Sequence, residues 1–291
     1  MSANKATSTK MESEKESFYT WCTNLQEIIC EKLETLEYRF SKAPHTFSTK
    51  NWERPGGGGG RMALLEGELF EKAGVNVSCV HGTFKETFRS KIPGCDKKGR
   101  FWASGLSLVI HPKPPHVPII HMNVRHIKTQ KQWFGGGIDL TPVFPTQSDT
   151  LFFHTELQKI CDTFDTGYYP RFKQWADTYF WLPHRKEARG VGGIFYDNLD
   201  VPFDTGFAFT KAIGESFTQI YAHLVEHNWK KAYAEKERAA QLKKRGRYAE
   251  FNLLYDRGTR FGLETDGNID AILMSLPPLA AWPSPLNNTQ N

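Results

Sequence analysis

The chain lacks the features that mark membrane and secreted proteins. Its 291 residues contain no run near the roughly 18 consecutive apolar residues that a membrane span requires, so we predict no transmembrane segment. The N-terminus has no apolar signal-peptide core, and the five cysteines form no CxxC pair and no regular framework. These absences predict reduced thiols and a cytoplasmic location. Import into an organelle through the N-terminal tail is the alternative, although residues 1–17 contain no arginine.

Motifs for nucleotide cofactors are also missing. The glycine run 56–60 is followed by Arg61 and Met62, not by the Gly-Lys-Ser/Thr of a phosphate-binding loop. No GxGxxG stands between a strand pattern and a helix pattern. The net charge of +5, from 37 Lys and Arg against 32 Asp and Glu, is mild for a nucleic-acid-binding protein but suits an acidic small molecule. We therefore predict a small-molecule ligand and no nucleic-acid partner.

Hydrophobic periodicity predicts helices at the N-terminus and in the second half of the chain. Apolar residues recur at three- and four-residue intervals from about Ser13 to Lys42, which is the pattern of an amphipathic helix. The same spacing predicts two helices between about Asp149 and Leu182, and one or two from Ala208 to about Lys244. Residues 1–12 are predicted to form a disordered tail, and residues 13–291, which no linker divides, a single domain.

Strand patterns occupy much of the remaining sequence. The segments after the glycine run 56–60 alternate as in a hairpin and further strands, and RFWASGLSLVIHP, VPIIHMNVRHIKT and WFGGGIDLTPVF continue the series. A short strand is predicted in RGVGGIFYDNL, and two final strands in RYAEFNLLYDRGTRFGLE. Successive strands without intervening helices indicate antiparallel pairing. The predicted fold class is α+β, an antiparallel sheet covered by helices.

The densest group of polar residues lies between Ser107 and Pro142. In IIHMNVRH, a strand would place His121, Asn123 and Arg125 on one face and the apolar residues between them on the other. An exposed sheet edge is one explanation of such a polar face. Imidazole, amide and guanidinium groups in a row within an apolar strand favour a second explanation, contact with an anionic ligand.

The block WFGGGIDLTP adds a carboxylate to this group. Three consecutive glycines let a backbone or a flat ligand approach closely, and Asp139 follows them in a strand-like setting. Asp139 either caps a turn or pairs with Arg125, whose strand is expected beside it. A carboxylate held near a guanidinium stays ionised, which suits a group that holds or removes a proton from a ligand nitrogen. Asp139 can form such a structural contact and also take part in proton transfer.

Histidines at 111, 116, 121 and 126 recur every five residues, a regularity that invites a metal-site interpretation. A five-residue step reverses the side-chain direction in a strand, and no cysteine or closely spaced glutamate completes a ligand set. We therefore predict a site that requires no metal. His154 is expected to pack within its helix. We expect the charged group of His184, Arg185, Glu187 and Arg189 to form either a surface salt-bridge cluster or part of a site.

Long strings of this chain, from about Trp52 to Trp282, have close counterparts in one family. They are WERPGGGGG, FEKAGVNVSCVHG, SLVIHP, HMNVRH, WFGGGIDLTP, HRKEARGVGGIFYD, GRYAEFNLLYDRGTRFGL and ILMSLPP. The chain resembles the oxygen-dependent coproporphyrinogen III oxidases of haem biosynthesis. The resemblance implies a large antiparallel β-sheet flanked on both faces by α-helices, a homodimer, and oxidative decarboxylation of two propionates of coproporphyrinogen III to vinyls, giving protoporphyrinogen IX. It also implies O₂ as co-substrate, with neither an organic cofactor nor an obligatory metal.

The resemblance assigns roles to individual residues. It implies that His121 is the proton donor and that Asp139 lies next to the macrocycle. The implied substrate contacts are Ser107, Asn123, Val124, Arg125, Asp266, Gly267 and Asn268. Relatives tend to carry arginine where Asn268 stands, so one guanidinium for a substrate carboxylate is missing there. If a metal is bound, its implied ligands are His111, His121, His154 and His184.

The substrate that the resemblance implies suggests a mechanism for these residues. We hypothesise that Arg125 anchors a carboxylate and that Asp139 draws a proton from a pyrrole N–H, after which the electron-rich ring reacts directly with oxygen. Two alternatives remain. One is a non-haem iron oxygenase that uses two of the four implied histidine ligands with Asp139. The other is a protein that binds a tetrapyrrole without reacting. The apolar final segment 249–285 is expected to supply a dimer interface.

Overall fold

The computed structural model describes residues 2–90, 92–264 and 267–283. Seven strands form its central sheet: β1 (Ser48–Glu53), β2 (Gly58–Leu65), β3 (Phe70–Thr83), β4 (Arg100–Pro112), β5 (Ile119–Lys128), β6 (Gln132–Thr141) and β9 (Gly192–Leu199). They lie in this order, and every neighbouring pair is antiparallel, as predicted. A separate small hairpin consists of β7 (Trp181–Leu182) and β8 (Glu187–Ala188).

The helices lie before, between and after these strands. They are α1 (Ser2–Ser41), α2 (Glu86–Arg89), α3 (Gln147–Asp162), α4 (Tyr168–Tyr179), α5 (Phe203–Asn228), α6 (Glu235–Leu254), α7 (Arg257–Glu264) and α8 (Ile269–Leu273). Within the described residues, no helix combines the length and the apolar character needed to cross a membrane.

One face of the sheet carries the main hydrophobic core. Alternate residues of β5, namely Ile120, Met122 and Val124, are buried against α1 and α5, which supply residues such as Phe18 and Phe217. This arrangement follows from strand geometry, because every second side chain points to the same face. The alternation predicted for β5 is confirmed.

The opposite face is covered only in part. Tyr248 of α6 packs on Val109 and Ile119, and Asn76 of β3 donates a hydrogen bond to the Ala271 carbonyl of α8. Helices therefore flank both faces of the sheet, and the α+β prediction is confirmed. Ser107, Asn123 and Arg125 lie on the part of this second face that remains accessible. We call that part the open face.

The N-terminal helix begins earlier than predicted. Helix α1 starts at Ser2, so residues 2–12, assigned from sequence to a disordered tail, are helical in this structure. Alanine, lysine, methionine and glutamate in this segment are strong helix formers, and the packed part of α1 supplies the nucleus that a helix needs to propagate. The predicted C-terminal end near Lys42 agrees with the observed end at Ser41.

The two final strands predicted in RYAEFNLLYDRGTRFGLE are wrong. This segment forms the end of α6 and the whole of α7. The apparent alternation in YAEFNLLY competes with a run of strong helix formers from Glu235 onward, and the buried residues of α6 recur at three- and four-residue intervals. Because Arg245, Tyr248 and Asn252 share one side of the helix, α6 covers the second face of the sheet.

Candidate active site

Strand register brings the predicted polar residues together. Asn123 pairs with Ser107 of β4 on one side and with Gly137 of β6 on the other. One row along, His121 lies directly opposite Asp139. One row in the other direction, Arg125 pairs with Gly135. Directly opposed residues on adjacent strands have Cβ atoms about 5 Å apart, and the side chains of His121 and Asp139 are in hydrogen-bonding contact across the sheet.

Asp139 is held from two sides. Its Oδ1 lies 2.8 Å from His121 Nδ1, and its Oδ2 accepts a hydrogen bond from Arg189 Nη2 at 2.6 Å. Asp139 and Arg189 are each only 2% exposed, whereas the His121 side chain is 15% exposed. The carboxylate is therefore buried behind the imidazole, and it is the imidazole that reaches the open face.

Electrostatics keep this buried pair ionised. Burial by itself raises the pKa of Asp139, but the charge of Arg189 and the hydrogen bonds from His121 and Arg189 outweigh it, so the pKa is lowered. Burial likewise lowers the pKa of Arg189, and the charge of Asp139 more than compensates, so that pKa is raised. An ionised Asp139 next to Nδ1 favours the His121 tautomer with its proton on Nδ1, which leaves Nε2 as an acceptor.

Arg189 is enclosed by aromatic rings. Its guanidinium carbon lies 4.2 Å from the ring centre of Phe180 and 4.6 Å from those of Tyr248 and Phe251, and Nη1 donates to Asn252 at 3.1 Å. Arg189 was predicted to belong either to a surface salt-bridge cluster or to a site, and it lies beside Asp139 in the candidate site. Its neighbours in sequence form a different cluster: His184 and Arg185 both contact Glu250.

The hydrogen bonds continue from the buried pair to the open face. Asn123 Nδ2 lies 3.3 Å from His121 Nε2, and Asn123 Oδ1 accepts from Arg125 Nη1 at 2.6 Å. Arg125 Nη2 then pairs with Asp197 Oδ1 at 3.0 Å. One connected polar chain thus runs from Arg189 to Asp197. The expected pairing of Arg125 with Asp139 is wrong, because Arg189 takes that place.

Glycine makes room for the Arg125 side chain. A Cβ at Gly135 would lie 2.7 Å from the Arg125 guanidinium, so any larger residue there would displace it. The guanidinium carbon also lies 5.6 Å from the ring centre of Phe195. The close approach predicted for the triple glycine is therefore made, at Gly135, by a side chain of the protein itself.

The sequence patterns singled out neither Arg257 nor Asp197. The Arg257 guanidinium lies 4.9 Å from the Tyr179 ring centre and 5.9 Å from that of Phe195, the ring that Arg125 also approaches. Arg257 lies within the segment that was predicted to form the two final strands. Asp197 stands within the recognised string GGIFYD, and its position two residues after Phe195 in a strand was the available indication.

The remaining predicted contacts have mixed outcomes. The Val124 side chain is 1% exposed and belongs to the hydrophobic core, so it faces away from the other predicted substrate contacts. Asn268 caps α8, where its Oδ1 accepts from the Ala271 N–H at 2.9 Å, and Gly267 N–H donates to the Gly262 carbonyl. Asp266 lies outside the described residues. Ser107 is exposed on the open face.

The four histidines of the possible metal set have separate partners. His111 contacts the Ser275 carbonyl, His154 the Val191 carbonyl and Tyr169, and His184 Glu250 and Tyr255. In the described ranges, no group of three or more His, Cys, Asp or Glu side chains is arranged to hold a metal ion. Burial lowers the pKa of His111 to about 3 and also lowers that of His154.

An antiparallel sheet with guanidinium, imidazole and amide groups on an open face is typical of a protein that binds an anionic organic ligand. The family model for coproporphyrinogen III oxidase matches residues 17–291. The chain is 50% identical over 268 residues to the oxygen-dependent coproporphyrinogen-III oxidase of Rickettsia bellii, an alignment that covers 90% of this chain and 96% of the relative. It is 49% identical over 269 residues to the enzyme of the same description from Rickettsia akari, covering 91% and 96%. The chain belongs to the coproporphyrinogen III oxidase family.

Proposed function

We propose that this protein is an oxygen-dependent coproporphyrinogen III oxidase that acts in haem biosynthesis. In each of two cycles, a propionate loses its carboxylate as CO₂, and the CH₂ group that is attached to the ring loses a hydrogen with its electron pair, which leaves a vinyl group. O₂ accepts the two electrons and, with two protons, leaves as H₂O₂. The product of both cycles is protoporphyrinogen IX.

One observation carries this proposal: a connected polar chain passes through Arg125 on the open face of a sheet, in a member of this family. The substrate bears four carboxylates around a ring of four pyrroles. Arg125 and Arg257 supply cations that attract and orient carboxylates, and the accessible Ser107 and Asn123 supply hydrogen-bonding groups beside them. The substrate-contact roles of these residues form part of the proposal, and that of Val124 is restricted to its backbone.

Within this proposal, Asp139 acts through His121. The hypothesis that Asp139 itself takes a pyrrole proton requires an accessible carboxylate, whereas both Asp139 oxygens already accept hydrogen bonds in a buried position. We assign proton transfer to His121 Nε2, which is nearer to the open face than the Asp139 carboxylate is. Asp139 holds the ring orientation and stabilises the imidazolium that forms, and Arg189 keeps Asp139 ionised.

We propose that the reaction needs no organic cofactor and no obligatory metal. The porphyrinogen is itself electron-rich and supplies both electrons, so the protein has to position the ring, exclude water and move protons. A divalent metal on His111, His121, His154 and His184 would need these residues to leave their separate partners. Activity that persists after exhaustive chelation is the expected result. Loss on chelation and recovery with added iron would favour the iron oxygenase instead.

We also propose a homodimer, a cytoplasmic location and a single domain over residues 13–291. Large apolar side chains exposed in the final part of the chain support the dimer: they are Leu253, Leu254, Phe261, Leu263, Ile269, Leu279 and Trp282. Five free cysteines suit a reducing compartment. One core cluster that extends from Phe18 to Trp229 supports the single domain. Sedimentation and cell fractionation test the first two proposals.

The decisive experiment separates binding from reaction. The protein is mixed anaerobically with coproporphyrinogen III, air is admitted, and vinyl products, CO₂ and O₂ uptake are followed together. We expect two CO₂ released and two O₂ consumed for each ring converted. Binding without O₂ uptake would instead identify a tetrapyrrole-carrying protein.

A further inference from the structure

Asp197 presents a carboxylate oxygen that the protein leaves open. Its Oδ1 pairs with Arg125 Nη2 at 3.0 Å and accepts the Asn198 N–H at 3.0 Å. Its Oδ2 makes no hydrogen bond to any residue that the structure describes. The side chain is 20% exposed, and it lies beside Arg125 of the open face.

The local backbone is built to present this side chain. The pairing of β6 with β9 shifts register between Phe134 and Gly136, which places Asp197 and Asn198 in an irregular stretch opposite Gly135. Asn198 has a φ of +51°, in the left-handed region that only a few residue types adopt readily. The bulge leaves Asp197 beside the Arg125 guanidinium, which lies over Gly135.

Two other carboxylates near the site are already fully engaged. Both oxygens of Asp139 accept hydrogen bonds, and its side chain is 2% exposed. Asp256 accepts from the Tyr179 hydroxyl with Oδ1 and from the Thr259 N–H with Oδ2. Of these three carboxylates, Asp197 is the one with an unused oxygen on the accessible side.

The substrate class under "Proposed function" has two kinds of polar group. Its rim carries carboxylates, and its centre carries four pyrrole N–H donors. A guanidinium and a carboxylate side by side match both kinds, because the guanidinium takes rim carboxylates and the carboxylate takes N–H donors. Resting on the proposed function, we propose that Asp197 is a substrate-binding residue that accepts hydrogen bonds from the inner N–H groups of the ring while Arg125 holds a propionate.

The role of Asp197 has a distinctive consequence for ligands. A polycarboxylate without N–H donors gains nothing from Asp197 and is repelled by its charge. Neutralising Asp197 therefore weakens binding of the tetrapyrrole and leaves binding of the simple polycarboxylate equal or stronger. If Asp197 only oriented Arg125, both ligands would lose affinity together. If it acted only as a negative charge near the site, both would gain affinity.

The test uses the full chain with Asp197→Asn, which keeps an oxygen that can accept from Arg125, and Asp200→Asn as the matched control. Asp200 is an exposed carboxylate three residues away. Anaerobic binding of coproporphyrinogen III is measured by protein fluorescence, and benzene-1,2,4,5-tetracarboxylate is added until it displaces half of the bound ring. Asp197→Glu tests whether a carboxylate at slightly longer reach restores binding, and thermal unfolding confirms that each variant is folded.

For Asp197→Asn we expect the Kd of coproporphyrinogen III to rise roughly 10- to 100-fold, the loss that fits charge-assisted hydrogen bonds. The Kd of the tetracarboxylate stays the same or falls, and Asp200→Asn changes neither by more than about twofold. Unchanged tetrapyrrole binding in Asp197→Asn, or equal shifts for both ligands, overturns the proposal. Because binding is measured without oxygen, the result is independent of turnover: a wild-type protein that binds the ring but consumes no O₂ overturns the proposed oxidase activity alone.

Discussion

The buried ion pair between Arg189 and Asp139 yields the sharpest quantitative prediction. Replacing Arg189 with methionine leaves the Asp139 carboxylate buried without its cation, while Met fills much of the space between the aromatic rings. Removing one partner of a buried pair typically costs about 3–5 kcal/mol of folding free energy. We expect Arg189→Met to lose an amount in this range near pH 8, measured by urea unfolding followed by circular dichroism.

The pH dependence of the stability loss provides a second, independent test of this prediction. In the wild type the pKa of Asp139 is lowered, so its contribution to stability is present at neutral pH and is lost as pH falls through the folded-state pKa. Without Arg189, the largest cause that lowers this pKa is removed, and we expect burial to raise the pKa above that of the unfolded chain despite the hydrogen bond from His121, so that the folded state takes up a proton more readily. The destabilisation of Arg189→Met should therefore shrink as pH is lowered from 8 towards 5.5.

The controls use the same chain. Arg185→Met removes an arginine four residues away, whose ion pair with Glu250 is partly exposed, and it should cost no more than about 1 kcal/mol. Asp139→Asn added to Arg189→Met should recover part of the lost stability, because it removes the uncompensated charge. An Arg189→Met protein within about 1 kcal/mol of wild type, or a loss that does not diminish at lower pH, would refute this reasoning.

Three further predictions address the open face and the core. Arg125→Lys should lower kcat/KM for coproporphyrinogen III by roughly 10- to 100-fold, because lysine lacks the planar fork of donors; steady-state kinetics with a near-wild-type value would contradict it. Val124→Ala should cost about 2 kcal/mol of stability with little change in turnover per folded molecule. Asn123→Ala should instead reduce turnover with little change in stability. Unfolding and oxygen-uptake measurements on both variants test this difference. Burial lowers the pKa of His126 to about 4, so this histidine should contribute a loss of roughly 3 kcal/mol of stability between pH 6.5 and 4, because the unfolded chain takes up a proton there that the folded chain does not. His126→Phe, which keeps the stacking on Phe134, should remove that part of the pH dependence, and identical stability profiles would count against it.

Local patterns in the sequence were sufficient for the helix–sheet organisation and for one face of the site. Side-chain direction in a strand depends only on residue parity, so His121, Asn123 and Arg125 were correctly grouped from β5 alone. The same rule separated Val124 from them, although the family resemblance included it among the substrate contacts. The final segment failed because a short alternating string is compatible with both strand and helix, and packing of α6 against the sheet selected the helix.

Partners across the fold were beyond the reach of such patterns. The sequence predicted that Asp139 would have a cation nearby, but its cation is Arg189, 50 residues later, and not the nearer Arg125. That choice depends on the path of the chain after β6, through α3 and α4, to the β7–β8 hairpin, which returns Arg189 beneath Phe180. Arg257 was missed for a related reason, since its place beside Phe195 follows from where α6 ends.

The amino-acid sequence by itself was thus enough to predict an anionic ligand, strands that pair antiparallel, and a polar face on β5. Those properties depend on neighbours within a few residues, where backbone geometry leaves few options. Which carboxylate is buried behind His121 and which one is left open beside Arg125 depended on contacts between segments 50 or more residues apart. Burial and pairing are properties of the folded chain, because a side chain loses water only when distant segments close over it.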